Sequence, residues 1–304
     1  MSDLNVYSTT AAVNALNSID GDMVVDTEAS AVKVYCNGAW KVFNDDYVFT
    51  NRWAMDCSAS GSRKLKIAGT SDIILQDSFT IATWFKTPSS ITSWSGLINW
   101  GDDSPRKGRG IGFNGQNALH FNGWGSHYTL SGATTLSGNT WYHGVAVVSA
   151  IASNGDATAT IYINGQQDSV TTAMLETFTL SQYNHHEMGG GAYPNSNYEF
   201  NGIIDEVAIF NTELSAPDVA AMYNGTAPNG KPVDLTLASS YDTDRTSNLK
   251  GYWRMGDAHN DSPVDGQTIT GVTNSANPGT NDATTVASSQ PAFLALASSD
   301  KIYV

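Results

Sequence analysis

The sequence predicts an all-β protein, and three observations support this fold class. Charged residues make up only 14% of the 304 residues, whereas glycine occurs 28 times, a composition that suits short strands joined by tight turns. Apolar and polar residues alternate in several segments, as they do in half-buried strands. One Asn-Gly dipeptide, Asn164-Gly165, follows such a segment and is typical of a two-residue hairpin turn. The length allows one large β domain or two smaller ones.

Alternation predicts the strands of the central part of the chain in order. The segments are "SFTIATWFKT" (78–87), "TWYHGVAVV" (140–148), "ATATIYINGQQDSV" (157–170) and "GIIDEVAIF" (202–210). The third segment predicts two paired strands joined at Asn164-Gly165. The fourth is apolar on both faces, which predicts a central strand.

One short helix is predicted within "TELSAPDVAAMYNG" (212–225). Ser215 is a suitable N-cap, Pro217 fits the first turn, and Asp218 is favourable near the positive end of the helix dipole. Gly225 provides a stop signal. The helix should therefore have about two turns.

These segments, in this order, resemble the laminin-G-like (LamG) branch of the concanavalin A-like jelly rolls. The resemblance rests on "FTIATWFKT", "TWYHGVAVV", "ATIYINGQQ" and above all "FNGIIDEVAIFNTELSAPDVAAMYNG", and it covers roughly residues 60 to 228. It implies a sandwich of two curved antiparallel sheets with long loops at one rim. We assign this LamG-like jelly-roll sandwich to residues 46–228.

The C-terminal segment, residues 229–304, has two interpretations. It contains "LKGYWRMGD" (249–257), which is similar to the stretch that normally opens a LamG domain. The segment either returns a strand to the sandwich or begins a second, truncated module. We favour the first interpretation because the residues that remain are too few for a sandwich of about 100 residues. We therefore expect "LKGYWRMGD" to pair beside "GIIDEVAIF", with Tyr252 or Trp253 buried.

The N-terminal segment, residues 1–45, is predicted to contain a β-hairpin. The stretch "GDMVVDTEASAVKVYCNGAWKVF" (21–43) resembles a small attachment unit that is common in structural proteins of tailed bacteriophages. A lone two-stranded hairpin is marginal in water. The resemblance therefore implies a segment that docks on a virion partner.

Charge and composition exclude several classes of partner. The formal net charge is −14 and the chain has only 15 Lys and Arg residues, so nucleic acid and membrane are not expected partners. The N-terminus lacks the pattern of a signal peptide, which predicts synthesis in the host cytoplasm. Cys36 and Cys57 form no metal or redox motif, and whether they pair stays open. No cofactor is predicted.

The segment from residue 93 to residue 130 carries the candidate binding residues. The glycan-binding candidates are Trp94, Trp124, His127 and Tyr128, because flat aromatic rings suit the apolar faces of sugars and polar neighbours suit their hydroxyls. The alternative is that the aromatic residues of this region, including Trp100, Phe113 and Phe121, fill the core. The LamG resemblance also implies calcium at a rim loop, for which the candidates are Asp102, Asp103 and Asn114.

Other polar residues are interpreted as structural. Asp205 and Glu206 should point to opposite faces of one strand and so cannot flank a single glycosidic bond. Asp205 is expected to be buried and bonded to backbone donors, and His143 to lie in the core. The run His185-His186-Glu187 has no third metal ligand at a recognisable spacing and is predicted to form a solvated loop.

The favoured function is that of a non-enzymatic structural protein of a tailed-phage virion, such as a capsid decoration, fibre or tail-associated subunit. Its partners would be capsid or tail subunits, in a homo-oligomer or multicopy assembly. The alternative is a carbohydrate-binding adhesin for host-surface glycans. A glycoside hydrolase ranks third because the expected pair of carboxylates is lacking.

Overall fold

The computed structural model divides the chain into two compact units, Met1–Phe49 and Thr50–Val304. The residues that it describes are 5–7, 12–13, 23–26, 31–36, 39–42, 49–58, 64–67, 73, 75, 77–101, 108–123, 129–175, 185–190, 199–224, 230–258, 261, 263–276, 282–285, 291–300 and 302. No helix in this described part of the chain has the length and apolarity needed to cross a membrane.

The first unit contains a four-stranded sheet in the order β1-β2-β3-β4. Its strands are β1 (Asn5–Tyr7), β2 (Met23–Asp26), β3 (Ala31–Cys36) and β4 (Ala39–Val42). Strand β1 lies parallel to β2, and the other pairs are antiparallel. The predicted hairpin is present, as β2 paired with β3, but it is part of a larger sheet. Three strands come from the segment 21–43, and β1 adds a fourth, which satisfies more backbone groups than a lone hairpin can.

The second unit is a sandwich of two antiparallel sheets, which confirms the predicted all-β jelly-roll class. Sheet I has the order β11-β10-β9-β8-β15-β6-β19-β18, and sheet II has the order β14-β13-β12-β7-β16-β5-β20, with β17 also beside β16. The strands are β5 (Trp53–Asp56), β6 (Leu65–Ile67), β7 (Phe79–Lys86), β8 (Gly96–Gly101), β9 (Gly108–Phe113), β10 (Leu119–Asn122), β11 (Thr129–Ser131), β12 (Trp141–Val148), β13 (Asp156–Ile163), β14 (Gln166–Met174), β15 (His185–Met188), β16 (Ile203–Phe210), β17 (Leu249–Trp253), β18 (Gly271–Val272), β19 (Ala283–Thr285) and β20 (Ala292–Ala295).

The turn and helix signals are confirmed. Strands β13 and β14 are joined by Asn164 and Gly165, whose φ angles of 51° and 76° are those of a two-residue hairpin turn. Helix α1 (Ala216–Tyr223) begins with a capping box, in which Ser215 and Asp218 accept hydrogen bonds from each other's backbone N–H. It ends at Asn224 in the left-handed conformation, one residue before the predicted stop.

The core fills the space between the two sheets. Phe85 of sheet II meets Phe113 of sheet I edge to face, with ring centroids 5.4 Å apart. Trp100 and Phe121 are also buried in this core, as the core interpretation of the aromatic region predicted. On the outer face of sheet II, α1 packs through Val219 and forms a second apolar cluster.

The run His185-His186-Glu187 forms most of strand β15, so the prediction of a solvated loop is wrong. Strand β15 pairs with β8 and β6 in the middle of sheet I. The ring of His186 lies edge-on against Trp100 at 4.5 Å, and Glu187 forms an ion pair with Lys64 at 3.0 Å. These contacts allow polar side chains to occupy a central strand.

The predicted return of the C-terminal segment to the sandwich is confirmed for "LKGYWRMGD". Strand β17 pairs antiparallel with β16, with Ala208 opposite Tyr252 and Val207 opposite Trp253. Both aromatic side chains are fully buried. Trp253 lies in the core between the sheets, and Tyr252 in the cluster on the outer face.

Candidate functional site

Trp94 is a large apolar side chain held at the surface in an unusual backbone conformation. Its side chain is 53% exposed, and its φ angle of 66° lies in the left-handed region, which is uncommon for a bulky residue. Ser95 fixes the turn, because its backbone N–H and its hydroxyl both donate to the Thr92 carbonyl, at 3.2 and 2.7 Å. The fold therefore presents an indole to solvent at the entrance to β8 at a cost in backbone strain.

His120 supports the Trp94 ring from one side. The two rings meet edge to face at 87°, with centroids 5.5 Å apart. His120 lies on β10, only 5% exposed, and its Nδ1 is 3.2 Å from the hydroxyl oxygen of Ser131 on β11. Burial lowers the pKa of His120 to about 4. The imidazole is therefore neutral at pH 7 and acts as an uncharged support.

The structure describes only some of the predicted binding residues. Trp124, His127, Tyr128, Asp102 and Asp103 lie outside the described residues. Sequence reasoning missed His120, although the pattern Leu119-His120-Phe121 is the signal of a strand with its histidine on the side away from the core.

Asn114, the third calcium candidate, is buried within a turn. Its Oδ1 accepts from the backbone N–H groups of Gln116 and Ala118, both at 2.9 Å. Across the residues that the structure describes, no group of three or more His, Cys, Asp or Glu side chains could hold a metal ion. The described geometry therefore gives Asn114 a local structural contact.

Asp205 and Glu206 lie on the same side of sheet II, which corrects the expectation that they face opposite ways. The register of β16 against β7 shifts between Asp205 and Ala208, and Glu206 adopts a φ angle of 48°. This is a β-bulge, in which one extra residue changes the alternation. Strict alternation would put Val207 on the face of Asp205, opposite to that of Glu206 and Ala208. Instead, Val207 lies in the core between the sheets, whereas Glu206 bonds to Tyr252 on the outer face.

The buried carboxylates of Asp205 and Glu206 belong to a hydrogen-bonded network. Asp205 accepts from the Asn51 amide at 2.9 Å and from the Glu206 backbone N–H at 2.8 Å. Glu206 accepts from the Tyr252 hydroxyl and from Arg254 Nε, the latter at 3.1 Å. Asp205 thus has one backbone donor, as expected, and a side-chain donor that the sequence did not indicate.

Burial raises the pKa of both carboxyl groups. The pKa of Glu206 is raised to about 7, and that of Asp205 is raised well above its usual value, first by burial and then by the negative charge of Glu206. Perturbed carboxyls often mark catalytic sites. Here, Asp205 is 0% and Glu206 only 3% exposed, and the bonding partners of both carboxyl groups belong to the fold itself. His143 is also buried, with its ring 5.2 Å from that of Trp84.

A comparison with protein families identifies the sandwich. Residues 60–220 match the Laminin_G_3 family, described as the concanavalin A-like lectin/glucanases superfamily, and this range is more than half of the chain. The chain belongs to the concanavalin A-like lectin/glucanases superfamily. Both Trp94 and the Asp205-Glu206 pair lie within the matched range, whereas strands β17 to β20 lie beyond it and still complete the two sheets of this superfamily member.

Several solved structures have a fold similar to that of this chain. The chain is similar to a candidate carbohydrate binding protein from Bacteroides ovatus, with a TM-score of 0.57 and 13% identity over 94% of this chain and 72% of that one. A weaker likeness is to the CBM40 of Ruminococcus gnavus IT-sialidase bound to alpha2,3 sialyllactose, with a TM-score of 0.44 and 14% identity over 57% of this chain and 98% of that one. Another is to the SAP-like pentraxin of Limulus polyphemus, with a TM-score of 0.43 and 11% identity over 58% of this chain and 83% of that one. No match was found among curated proteins.

Proposed function

We propose that this protein is a non-enzymatic carbohydrate-binding protein and that Trp94 is its contact with the sugar. The observation that carries the proposal is the exposed indole of Trp94, held in a left-handed conformation by a hydrogen-bonded turn and braced by a buried histidine. A rigid aromatic ring offers a flat apolar surface to a sugar at little cost in conformational entropy. A strained backbone conformation, such as that of Trp94, persists only when the surrounding fold maintains it, and such strain is often found at functional sites.

Polar groups beside the ring suit the hydroxyls of a sugar. Ser93 precedes Trp94 in the chain, the Ser131 hydroxyl lies 3.2 Å from His120, and both serines are exposed. A serine hydroxyl both donates and accepts hydrogen bonds. The similarity of the fold to the candidate carbohydrate binding protein of Bacteroides ovatus supports the same class of ligand. A fold alone does not determine function, so the proposal depends on Trp94.

The non-enzymatic part of the proposal is supported by the network around β16. Glycoside hydrolysis by the usual mechanism needs two carboxyl groups on either side of an accessible bond. Asp205 and Glu206 are instead buried and bonded to Asn51, Tyr252 and Arg254. This arrangement favours a structural role for both carboxylates.

Replacing Trp94 with alanine is expected to weaken glycan binding about fivefold per site, since stacking on an aromatic ring contributes about 1 kcal/mol. Single sites should be weak, so the measurement is a glycan array probed with the full-length chain coupled to a multivalent carrier, where avidity makes the loss larger. Trp94→Phe, which keeps a ring, should retain part of the signal.

The matched control is Leu237→Ala, which removes another exposed apolar side chain, 43% accessible, from a different part of the second unit. It should bind as well as the wild type. The proposal fails if the wild type binds no glycan, or if Trp94→Ala binds as strongly as Leu237→Ala does.

We further propose that the protein is a virion structural component of a tailed phage and is displayed in many copies. The observation that favours this role is that residues 1–49 form a compact unit of their own with a four-stranded sheet, in the segment whose sequence resembles a phage attachment unit. In this proposal, the first unit docks on a capsid or tail subunit, and the sandwich faces host-surface glycans. Multiple copies would convert weak sites into stable attachment.

Deleting residues 1–45 is expected to remove the protein from particles while the sandwich stays folded. The deletion removes β1 to β4, and the second unit keeps all of its own strands. Mass spectrometry of purified particles measures incorporation, and circular dichroism of the purified variant measures folding. Normal incorporation of the deletion variant, or absence of the wild type from particles, would contradict the virion proposal.

A further inference from the structure

A polar cleft of about 440 Å³ lies at the edge where one segment crosses between the two sheets. Thr268 forms a β-bridge with Ala292 of β20 in sheet II. A few residues later, β18 pairs with β19 in sheet I. Between them, Ile269 is buried in the core and anchors the crossing segment. The cleft therefore stands on a fixed part of the sandwich, and its volume is within the range of small-molecule sites.

Hydroxyl, amide and carboxylate groups make up about half of the lining of the cleft. The lining side chains with polar or aromatic groups are those of Asp261, Gln267, Thr268, Thr270, Thr273, Asp282, Thr284 and Phe293. Gln267, Thr268, Thr270 and Thr284 are exposed. Among the described residues that line the cleft, neither lysine nor arginine occurs. The cleft thus offers many neutral hydrogen-bonding groups and a negative charge.

The two carboxylates are held in place by backbone donors. Asp261 Oδ1 accepts from the Thr273 N–H and Asp282 Oδ1 from the Asn274 N–H, both at 2.9 Å. Both carboxyl groups line the same cleft, and burial raises the pKa of Asp261, with the charge of Asp282 adding to this rise. They are preorganised acceptors rather than mobile surface side chains.

We propose that this cleft binds a neutral saccharide and rejects anionic sugars. Sugar hydroxyls can donate to the Asp282 carboxylate and exchange hydrogen bonds with the threonine hydroxyls and the Gln267 amide, while Asp261, whose Oδ2 is buried, adds negative charge behind them. An anionic sugar would place a carboxylate beside Asp261 and Asp282, and such juxtaposition of like charges is strongly unfavourable. Lys66 pairs with Thr284 across β6 and β19 but is not among the lining residues. The ligand class rests on the proposed carbohydrate-binding function, but the site does not depend on Trp94.

The cleft and Trp94 are separate sites. Trp94 precedes β8, whereas the cleft is built around β18 and β19 at the far end of sheet I. Four strand spacings separate β8 from β18, which is roughly 19 Å at about 4.8 Å per strand. One small sugar therefore cannot contact both sites, and each can be tested without the other.

The test is calorimetric titration of the full-length Trp94→Ala protein, which lacks the first site, with lactose, maltose, cellobiose and 3′-sialyllactose in buffer containing a chelator. At least one neutral disaccharide should bind, and 3′-sialyllactose should bind at least about tenfold more weakly because of charge repulsion. Thr268→Val keeps the β-branched shape that the bridge with Ala292 needs but removes a hydroxyl. It should weaken neutral binding about threefold to tenfold.

A second variant separates recognition from folding. Asp282→Asn keeps the oxygen that accepts from Asn274 but removes the charge, so the preference for neutral over sialylated sugar should fall by about tenfold. A merely structural Asp282 would not change this ratio. Melting temperatures of all variants show whether they are folded, and Thr284→Val, at another exposed lining position, provides a second hydroxyl deletion if Thr268→Val is unfolded.

The inference is overturned if the Trp94→Ala protein binds none of the neutral sugars, if it binds 3′-sialyllactose equally well, or if added calcium binds at this cleft without any sugar. Failure of the cleft proposal and failure of the Trp94 proposal give different results. If Trp94→Ala loses all binding on the glycan array, the cleft proposal is contradicted and the Trp94 proposal still stands. Unchanged binding in Trp94→Ala together with loss in Thr268→Val contradicts the Trp94 site and supports the cleft.

Discussion

A protein cut after Pro228 is expected not to fold into a stable sandwich. The cut removes β17 to β20, so β16 loses its contact with β17, β5 loses β20, and β6 loses β19. Tyr252 and Trp253 are fully buried, and aromatic side chains of this kind bury 150–250 Å² each, which is worth about 4–6 kcal/mol apiece at 25 cal/mol per Å². Their loss alone is comparable to the entire stability of a typical domain.

The measurement is thermal unfolding of the 1–228 fragment, followed by circular dichroism. Deleting residues 1–45 is the matched control, since it removes strands from the other compact unit and should leave the transition of the sandwich near its wild-type temperature. A 1–228 fragment that melts at the wild-type temperature would show that residues 229–304 are an independent module, in spite of the pairing between β16 and β17.

Several strands were predicted correctly from signals within their own segments. Inward and outward side chains alternate in β7 and β12, and Asn164-Gly165 is a local turn signal, so nearby residues were sufficient there. Strand β15 was missed because His185-His186-Glu187 is polar and becomes compatible with a central strand only through Trp100 and Lys64, which are distant in sequence. Tertiary contacts overrode local propensity there.

The bulge in β16 could not be predicted for a related reason. Positive φ angles are usually signalled by glycine or asparagine, but here the residue is Glu206. Its conformation is maintained by Tyr252 and Arg254, which lie some 46 and 48 positions away in the chain. The candidate sites also depend on residues that are distant in the sequence. Trp94 was a binding candidate from the sequence because it is an aromatic residue with polar neighbours, whereas His120 and the cleft residues come together only in the folded sandwich.

Arg254→Met is expected to destabilise the sandwich by about 3–5 kcal/mol above pH 7, the cost of leaving one partner of a buried ion pair without the other. Arg254 and Glu206 are 7% and 2% exposed, and Arg254 also donates to the backbone carbonyls of Thr50 and Asp257. The side chain therefore joins three segments of the second unit. Methionine keeps much of the apolar stem but supplies no donor to Glu206.

The loss of stability caused by Arg254→Met should increase as the pH rises. Burial raises the pKa of Glu206 from 4.5 to about 7, so between these values the folded state holds a proton that the unfolded state has released. Stability then falls as pH rises through this window. Without Arg254, the folded pKa should rise further, so the gap between variant and wild type should be small near pH 5 and large at pH 8. Urea unfolding at the two pH values measures this difference.

Two further variants make the Arg254 experiment decisive. Lys250→Met removes a cation from β17, four residues before Arg254, but Lys250 makes only a solvent-exposed hydrogen bond to the Ser247 carbonyl, so its cost should be small and independent of pH. Glu206→Gln in the Arg254→Met background removes the buried charge and should recover much of the stability at pH 8, because the uncompensated carboxylate accounts for the loss. An Arg254→Met protein with the same loss at pH 5 and pH 8 would show that Arg254 acts through packing and its carbonyl contacts, and that Glu206 is not ionised in the folded protein.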